Sequence, residues 1–224
     1  FIAAFTPGFL QRMTADGVLE RIRKSPGIDA HLLQDFERGL PELKKARVLA
    51  PDVTFDRELT IHLGKREVRV RFPGRANTAG DAIVWVPDAK VLVAGDLVVW
   101  PTPYATSAYP AEWLTAMHSL LALDAVAIVP GHGPVQRDGT YMQQIAGALR
   151  FVVDQAGVAV RDGLTLEEAR KRIDLASLRR EFAGDDPKRR QAFDEYFAAA
   201  VVTNAYKQAR GEPTDESRFP GPWS

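Results

Sequence analysis

The chain predicts an α/β domain with helices layered on a sheet, and three observations carry that prediction. From Val53 to Phe72 apolar residues recur at every second position, the period of a strand with one apolar face. Two more continuously apolar runs come next, one ending in Gly95-Asp96 and the other in Pro130-Gly131-His132-Gly133, with a helical pattern between them. On either side of this central region the spacing changes to three and four, the period of helices with one buried stripe. A strand, helix, strand unit sets the C-terminal ends of its strands side by side, where α/β proteins tend to hold ligands.

Residues 7–47 read as a two-helix cover. Phe9, Leu10 and Met13, then Leu32, Leu33, Phe36 and Leu40, keep helical spacing, and Ser25-Pro26-Gly27 breaks the run. His31 stands at the start of the second helix. The sheet and the site motifs occupy residues 53–135. Leu59, Ile61 and Leu63 alternate with Thr60 and His62, Lys65-Arg66 marks a turn, and Val68, Val70 and Phe72 return as the second arm of a hairpin. Residues 83–86 and 91–97 are apolar almost throughout, as expected of strands covered on both faces. Residues 98–104 are broken by Pro101 and Pro103 and read as a loop leaving directly from Asp96. Its Trp100 and Tyr104 have two readings: they line a substrate pocket, or they pack the loop onto the domain.

A helix over 111–123 turns Trp113, Leu114, Met117, Leu120 and Leu121 to the core, with His118 at the surface edge of that stripe. C-terminal helices fill 139–210: residues 141–160, residues 165–173 opened by a Thr165/Glu168 capping box, and residues 188–209. The mixed charges of Arg179-Arg180-Glu181 and of residues 185–190 read as a solvated face. The proline-containing stretch 213–224 reads as a loose tail.

Composition bounds the function. With 224 residues, 46% hydrophobic and 26% charged, the chain is long enough for one globular domain with a core. Lys plus Arg equals Asp plus Glu at 29 each, so no charge excess marks nucleic acid or an anionic membrane as a partner. The absence of cysteine excludes disulfides, thiolate metal sites and cysteine nucleophiles. No apolar run is long enough for a membrane-spanning helix, so a soluble protein is expected, whether cytoplasmic, periplasmic or secreted. A Gly-x-Ser-x-Gly elbow and glycine-rich phosphate loops are both absent.

The residues that carry chemistry stand at the strand ends. Asp96 and His132 each lie where an apolar run meets a glycine turn, and an Asp beside a His is a candidate hard-metal site. Singly, each reads equally well as a turn cap or a local hydrogen-bonding group. A third segment joins them, Gly74-Arg75-Ala76-Asn77-Thr78-Ala79-Gly80-Asp81, followed by the strand before Pro87. From about Phe72 to Val135 this order, with Trp113 and the run Leu120-Leu121-Ala122-Leu123-Asp124, resembles the second half of a metallo-β-lactamase-fold hydrolase. That family's pattern runs G-x-x-H-T-x-G-D, strand, P, strand, G-D, helix, strand, P-G-H-G.

The resemblance implies an αββα sandwich and a zinc-dependent hydrolase. In the complete fold one or two zinc ions activate a bound water against an ester, thioester or amide-like bond of a small molecule. It implies Asp96 as the carboxylate that bridges two metals and His132 as a ligand of the second. Asp81 and Thr78 then support the turn beside the ligands rather than binding metal.

Two departures modify this. The corner that usually carries a metal-binding His is Asn77, whose amide oxygen is a poor zinc ligand, so Asn77 is expected to hydrogen-bond around the site. The family's main cluster, H-x-H-x-D-H, is absent, the four histidines being His31, His62, His118 and His132. The opening Phe1-Ile2-Ala3-Ala4-Phe5-Thr6-Pro7 resembles the segment that comes after that cluster, which favours a fragment lacking the first strands. The competing reading is a mature protein whose signal peptide ended before Phe1. With Asp96 and His132 alone, zinc binding is expected to be weak or absent, and no residue is assigned a catalytic role. Beside the hydrolase stands a second function, a metallo-hydrolase-like module for binding or assembly. The C-terminal helices leave room for a homodimer contact.

Overall fold

The computed structural model describes residues 15–24, 30–43, 45 and 52–214. The chain divides into two compact units, residues 1–54 with 219–224, and residues 55–218. The start of the expected helical cover at 7–14, the Ser25-Pro26-Gly27 break and the tail beyond Thr214 lie outside the described residues. In the first unit the two expected helices are α1 (Ala15–Lys24) and α2 (Ala30–Leu43). Arg23 of α1 donates to Glu37 of α2 at 2.6 Å, a largely exposed pair that adds little stability.

The second unit holds a five-stranded sheet in sequential order. β1 (Glu58–Leu63) and β2 (Arg66–Arg71) form an antiparallel hairpin that closes with Leu63 opposite Arg66, and Gly64 supplies the positive φ of 66° that so tight a turn requires. β3 (Ile83–Val86) continues antiparallel between β2 and β4 (Val91–Val99). β4 and β5 (Ala127–His132) are parallel, so their connection must cross over, and α3 (Pro110–Leu121) makes the crossing. Pro110 sits in the first turn of α3, where its missing N–H costs no helical bond.

The core lies between the sheet and the helices. Ile83, Trp85, Leu92, Ala94 and Ile128 project from the strands into one cluster with Trp113, Met117, Ile145, Leu149 and Phe197. The residues between them behave differently: Val84, Val86, Val91 and Val129 are half-buried, and Val93 is 37% exposed. The expectation that these strands are covered on both faces is therefore corrected. Helices fill one face, while β-branched residues occupy the other, and a half-buried pleated surface suits them as well as a core does. In β1 burial does not follow the alternation: Leu59 and Thr60 are half-buried, while Ile61, His62 and Leu63 are exposed, β1 being an edge strand among the described residues.

A further correction bears on the site. β4 does not stop at Leu97 but runs to Val99, taking in Val98 and Val99, which the sequence assigns to the following loop. Gly95 adopts φ 55°, and the ladder to β5 slips at Gly95 and again before Val99. This irregularity is a bulge, which bends a strand and re-aims its side chains.

The C-terminal helices are α4 (Thr140–Arg161), α5 (Leu166–Arg172), α6 (Ala176–Ala183), α7 (Pro187–Ala192) and α8 (Ala199–Ala209), with a π-helical turn, Phe193–Ala198, joining the last two. Both halves of the Thr165/Glu168 capping box are formed. The charged stretch around Arg179 is the outer side of α6, which buries Leu178, Phe182 and Ala183. Asp186 caps α7 by accepting from the Lys188 and Arg189 amides at 2.8 and 3.1 Å. Among the described residues no helix is long and apolar enough to cross a membrane.

The tightest approach in the sheet is at Gly131. A Cβ there would lie 1.9 Å from Asp96 Oδ1 and 2.9 Å from both the Asp96 amide nitrogen and the Gly95 carbonyl carbon. Rotating the Asp96 side chain relieves only the first of these. Gly131→Ala is expected to lower stability by about 1–3 kcal/mol. Gly147→Ala, on α4, where an added methyl meets nothing within 4 Å, is expected to raise it by about 0.5–1 kcal/mol. Urea unfolding midpoints of the two variants check the pair, and equal shifts would refute the steric account.

Candidate functional site

The site grows from the β4 bulge and the end of β5. Asp96 follows the left-handed Gly95, and His132 is the last residue of β5, opposite Val99. The structure brings them together, His132 Nε2 lying 3.6 Å from Asp96 Oδ1 with the two side chains 56% and 44% exposed. That separation is too long for a hydrogen bond. It is close to the ~3.3 Å between two donors of one tetrahedral zinc with bonds of about 2.0–2.1 Å. The glycines flanking His132 have separate steric reasons. Gly131 admits Asp96, and a Cβ on Gly133, whose φ is 99°, would meet Trp100 Cβ at 2.8 Å. The Trp100 amide in turn donates to the His132 carbonyl at 3.0 Å.

Asn77, Thr78 and Asp81 belong to one turn. The Thr78 amide donates to Asp81 Oδ2 at 2.7 Å, the Ala76 amide to the Thr78 carbonyl at 2.9 Å, and the Gly80 amide to Thr78 Oγ1 at 3.2 Å. Asn77 is buried, and its Nδ2 donates to the Tyr104 carbonyl. Burial pushes the Asp81 carboxyl up to about 6, against the hydrogen bonds from Thr78 and Ala76, and the negative charge of Asp96 pushes the same way.

Tyr104 is half-buried, with its ring centroid 5.5 Å from that of His132, while Trp100 is 37% exposed under the Arg189 guanidinium at 5.0 Å. Sequence reasoning missed two neighbours. Tyr196 sets its ring 5.1 Å from Tyr104, and its carbonyl accepts from the Ala105 amide at 2.8 Å. Buried Asn204 donates to the Ala105 carbonyl at 3.1 Å. The only sign in the sequence was a polar amide within the apolar pattern of the last helix. His62 is exposed on β1, and exposed His118 faces Arg150 at 3.1 Å. Among the described residues, no three His, Cys, Asp or Glu side chains converge.

The fold is a mixed α/β one, helices layered on a sheet whose parallel strands β4 and β5 bring Asp96 and His132 together. The chain belongs to the metallo-beta-lactamase superfamily, whose family model matches residues 13–132, more than half of its length. It is similar to the metallo-beta-lactamase type 2 of Elizabethkingia meningoseptica, 32% identical over 71 residues, 30% of this chain and 28% of that one. It is also similar to the metallo-beta-lactamase type 2 of Bacillus cereus, 28% identical over 91 residues, 38% of this chain and 36% of that one. The matched stretches thus span about a third of these relatives' own lengths. Among solved structures, a metallo-beta-lactamase from Pontibacter korlensis is 30% identical, with 45% of this chain and 49% of that one covered at a TM-score of 0.41.

Asp81 makes stability depend on pH. Its carboxyl titrates near 6 in the folded chain, against 3.8 for the free side chain. Between those values the folded state keeps a proton that the unfolded chain has released. The contribution of this group to stability is therefore fully present below about pH 4, falls as pH rises to about 6, and stays low above it. Asp81→Asn should flatten this slope by on the order of 1–2 kcal/mol, after allowance for partial exposure. Denaturant titrations at pH 4 and pH 7 measure the difference, and an undiminished slope in the variant would contradict it.

Proposed function

We infer that this chain supplies one side of the metal site of a metal-dependent hydrolase acting on a small molecule with an ester, thioester or amide-like bond. The observation that carries the reading is the Asp96–His132 pair, a carboxylate and an imidazole 3.6 Å apart at the adjoining ends of two parallel strands, in a chain of the metallo-beta-lactamase superfamily. Both donors suit a zinc-class ion in type and spacing but are two in number, so any further ligands come from other residues. Such an ion, when bound, polarises the scissile group and makes water nucleophilic at neutral pH.

The chain's own residues have separable tasks in this reading. Asp96 contributes the negative charge that balances a cation, and His132 a neutral nitrogen. Gly131 keeps the space between their backbones small enough for both to face one ion. Asp81 commits its carboxylate to the Thr78 amide and so holds the turn. Asn77 commits its amide group to the Tyr104 carbonyl and holds the loop beside His132. A second reading, a binding or assembly module on the same fold, is favoured by the want of a third converging donor among the described residues and by Asn77 at a corner where the family usually has His.

Zinc calorimetry on the full chain, after dialysis against a chelator, separates the two. The hydrolase reading expects weak binding that falls by at least about tenfold in both Asp96→Ala and His132→Ala. The loss should be larger for Asp96→Ala, which also removes the compensating charge. Asn77→His should strengthen binding by adding an imidazole. Zinc affinity unchanged in Asp96→Ala would remove the pair from the site, and no binding even in Asn77→His would favour the module.

A further inference from the structure

Beyond the Asp96–His132 pair, aromatic rings extend the site in one direction. Tyr104 is tilted by 55° against the His132 imidazole at 5.5 Å, and Tyr196 by 55° against Tyr104 at 5.1 Å. The row steps outward from His132 onto the C-terminal helices. Core packing does not account for it, because Tyr196 is 39% exposed while Phe193 and Phe197 of the same turn are fully buried.

The backbone under these rings is held from both sides. Asn77 Nδ2 donates to the Tyr104 carbonyl, the Ala105 amide to the Tyr196 carbonyl, and buried Asn204 to the Ala105 carbonyl. Two segments distant in sequence thus fix each other's main chain and leave their rings partly bare. Tyr196 also lies in the π-helical turn, a distortion that recurs at functional sites.

We propose that Tyr104 and Tyr196 form an aromatic wall beside His132 that takes a flat apolar group of the substrate, an aryl group next to the reacting carbonyl, with Tyr196 the specificity-determining residue. The identity of the bound molecule as a substrate rests on the hydrolase reading; the wall rests on the rings. A ring seated against this wall gains on the order of 0.5–1.5 kcal/mol from aromatic contact, a roughly two- to tenfold preference over a ligand without one.

The test uses two neutral probes, 2-phenylacetamide and acetamide, so that the Asp96 charge opposes neither. The full chain is titrated without metal while the His132 ring resonances are followed by NMR. Phenylacetamide is expected to shift those resonances and to bind about two- to tenfold more tightly than acetamide. Tyr196→Phe should keep that preference and Tyr196→Ala should erase it. If Tyr196→Ala does not fold, Tyr196→Leu, which keeps apolar volume without a ring, takes its place. Equal affinity for the two probes, no shift with either, or an undiminished preference in the ring-less variant overturns the proposal. Because neither metal nor turnover enters the readout, failure here leaves the zinc test of Asp96 and His132 standing, and failure there leaves the wall standing.

Discussion

The site depends on how closely β4 and β5 approach at Gly131. Parallel neighbours in a sheet ordinarily keep their side chains apart along the ladder. Here the Asp96 carboxylate lies over a residue with no side chain, where a methyl group would overlap it. The slip in register at Gly95 carries Asp96 to that position, and the strand ends on the next residue of β5, His132. Pro130 fits within β5 because, among the described residues, no strand lies beyond β5, whose outer side is paired only by the bridge of Ile128 to Gln136. The run Pro130-Gly131-His132-Gly133 is thus a steric solution before it is a chemical one.

A second layer of order comes from polar groups that bond to the main chain beside the pair. Asn77, Asn204 and the Tyr196 carbonyl hold the main chain at Tyr104 and Ala105 by three hydrogen bonds, and the Tyr109 amide donates to the Ala76 carbonyl at 2.7 Å. Pro101 and Pro103 restrict only the first part of residues 100–109, so these bonds, rather than backbone stiffness alone, set the loop's path. The turn that carries Asn77 also holds Asp81 close enough to feel the charge on Asp96. Polar groups bonded to the main chain therefore decide the surroundings of the pair.

Much of this was legible in the sequence, for reasons that are local. Alternation revealed the hairpin, helical spacing revealed α3 and α4, and the Thr165/Glu168 pair revealed the start of α5. The juxtaposition of Asp96 and His132 came from the strand, helix, strand order, because a right-handed crossover leaves neighbouring strand ends together. What was not legible depended on tertiary context. Glycine before Asp96 suits a turn and a bulge alike, so the extension of β4 to Val99 did not show. Val84 and Val93 look the same in sequence as Leu92, though only Leu92 is fully buried. Mixed charges hid α6, whose Leu178 and Phe182 are four apart on one face. Tyr196 gave no signal because its partners, Tyr104 and Ala105, are remote in the chain.

The π-helical turn between α7 and α8 has an effect on phase. Closing hydrogen bonds over five residues rather than four sets α8 one residue out of α-helical step, a rotation of about 100°. Residues 200–206 of α8 are all buried, so the helix is packed on every side there and each of its side chains has a neighbour that this offset assigns. A chain one residue shorter in this turn would wind as a plain α-helix and turn each packed side chain of α8 toward a different neighbour. Tyr196 and Asn204 would leave the loop together. The length of one helical turn thus works as a single discrete setting, through which insertion or deletion of one codon would remodel the mouth of the site without altering any residue that lines the Asp96–His132 pair.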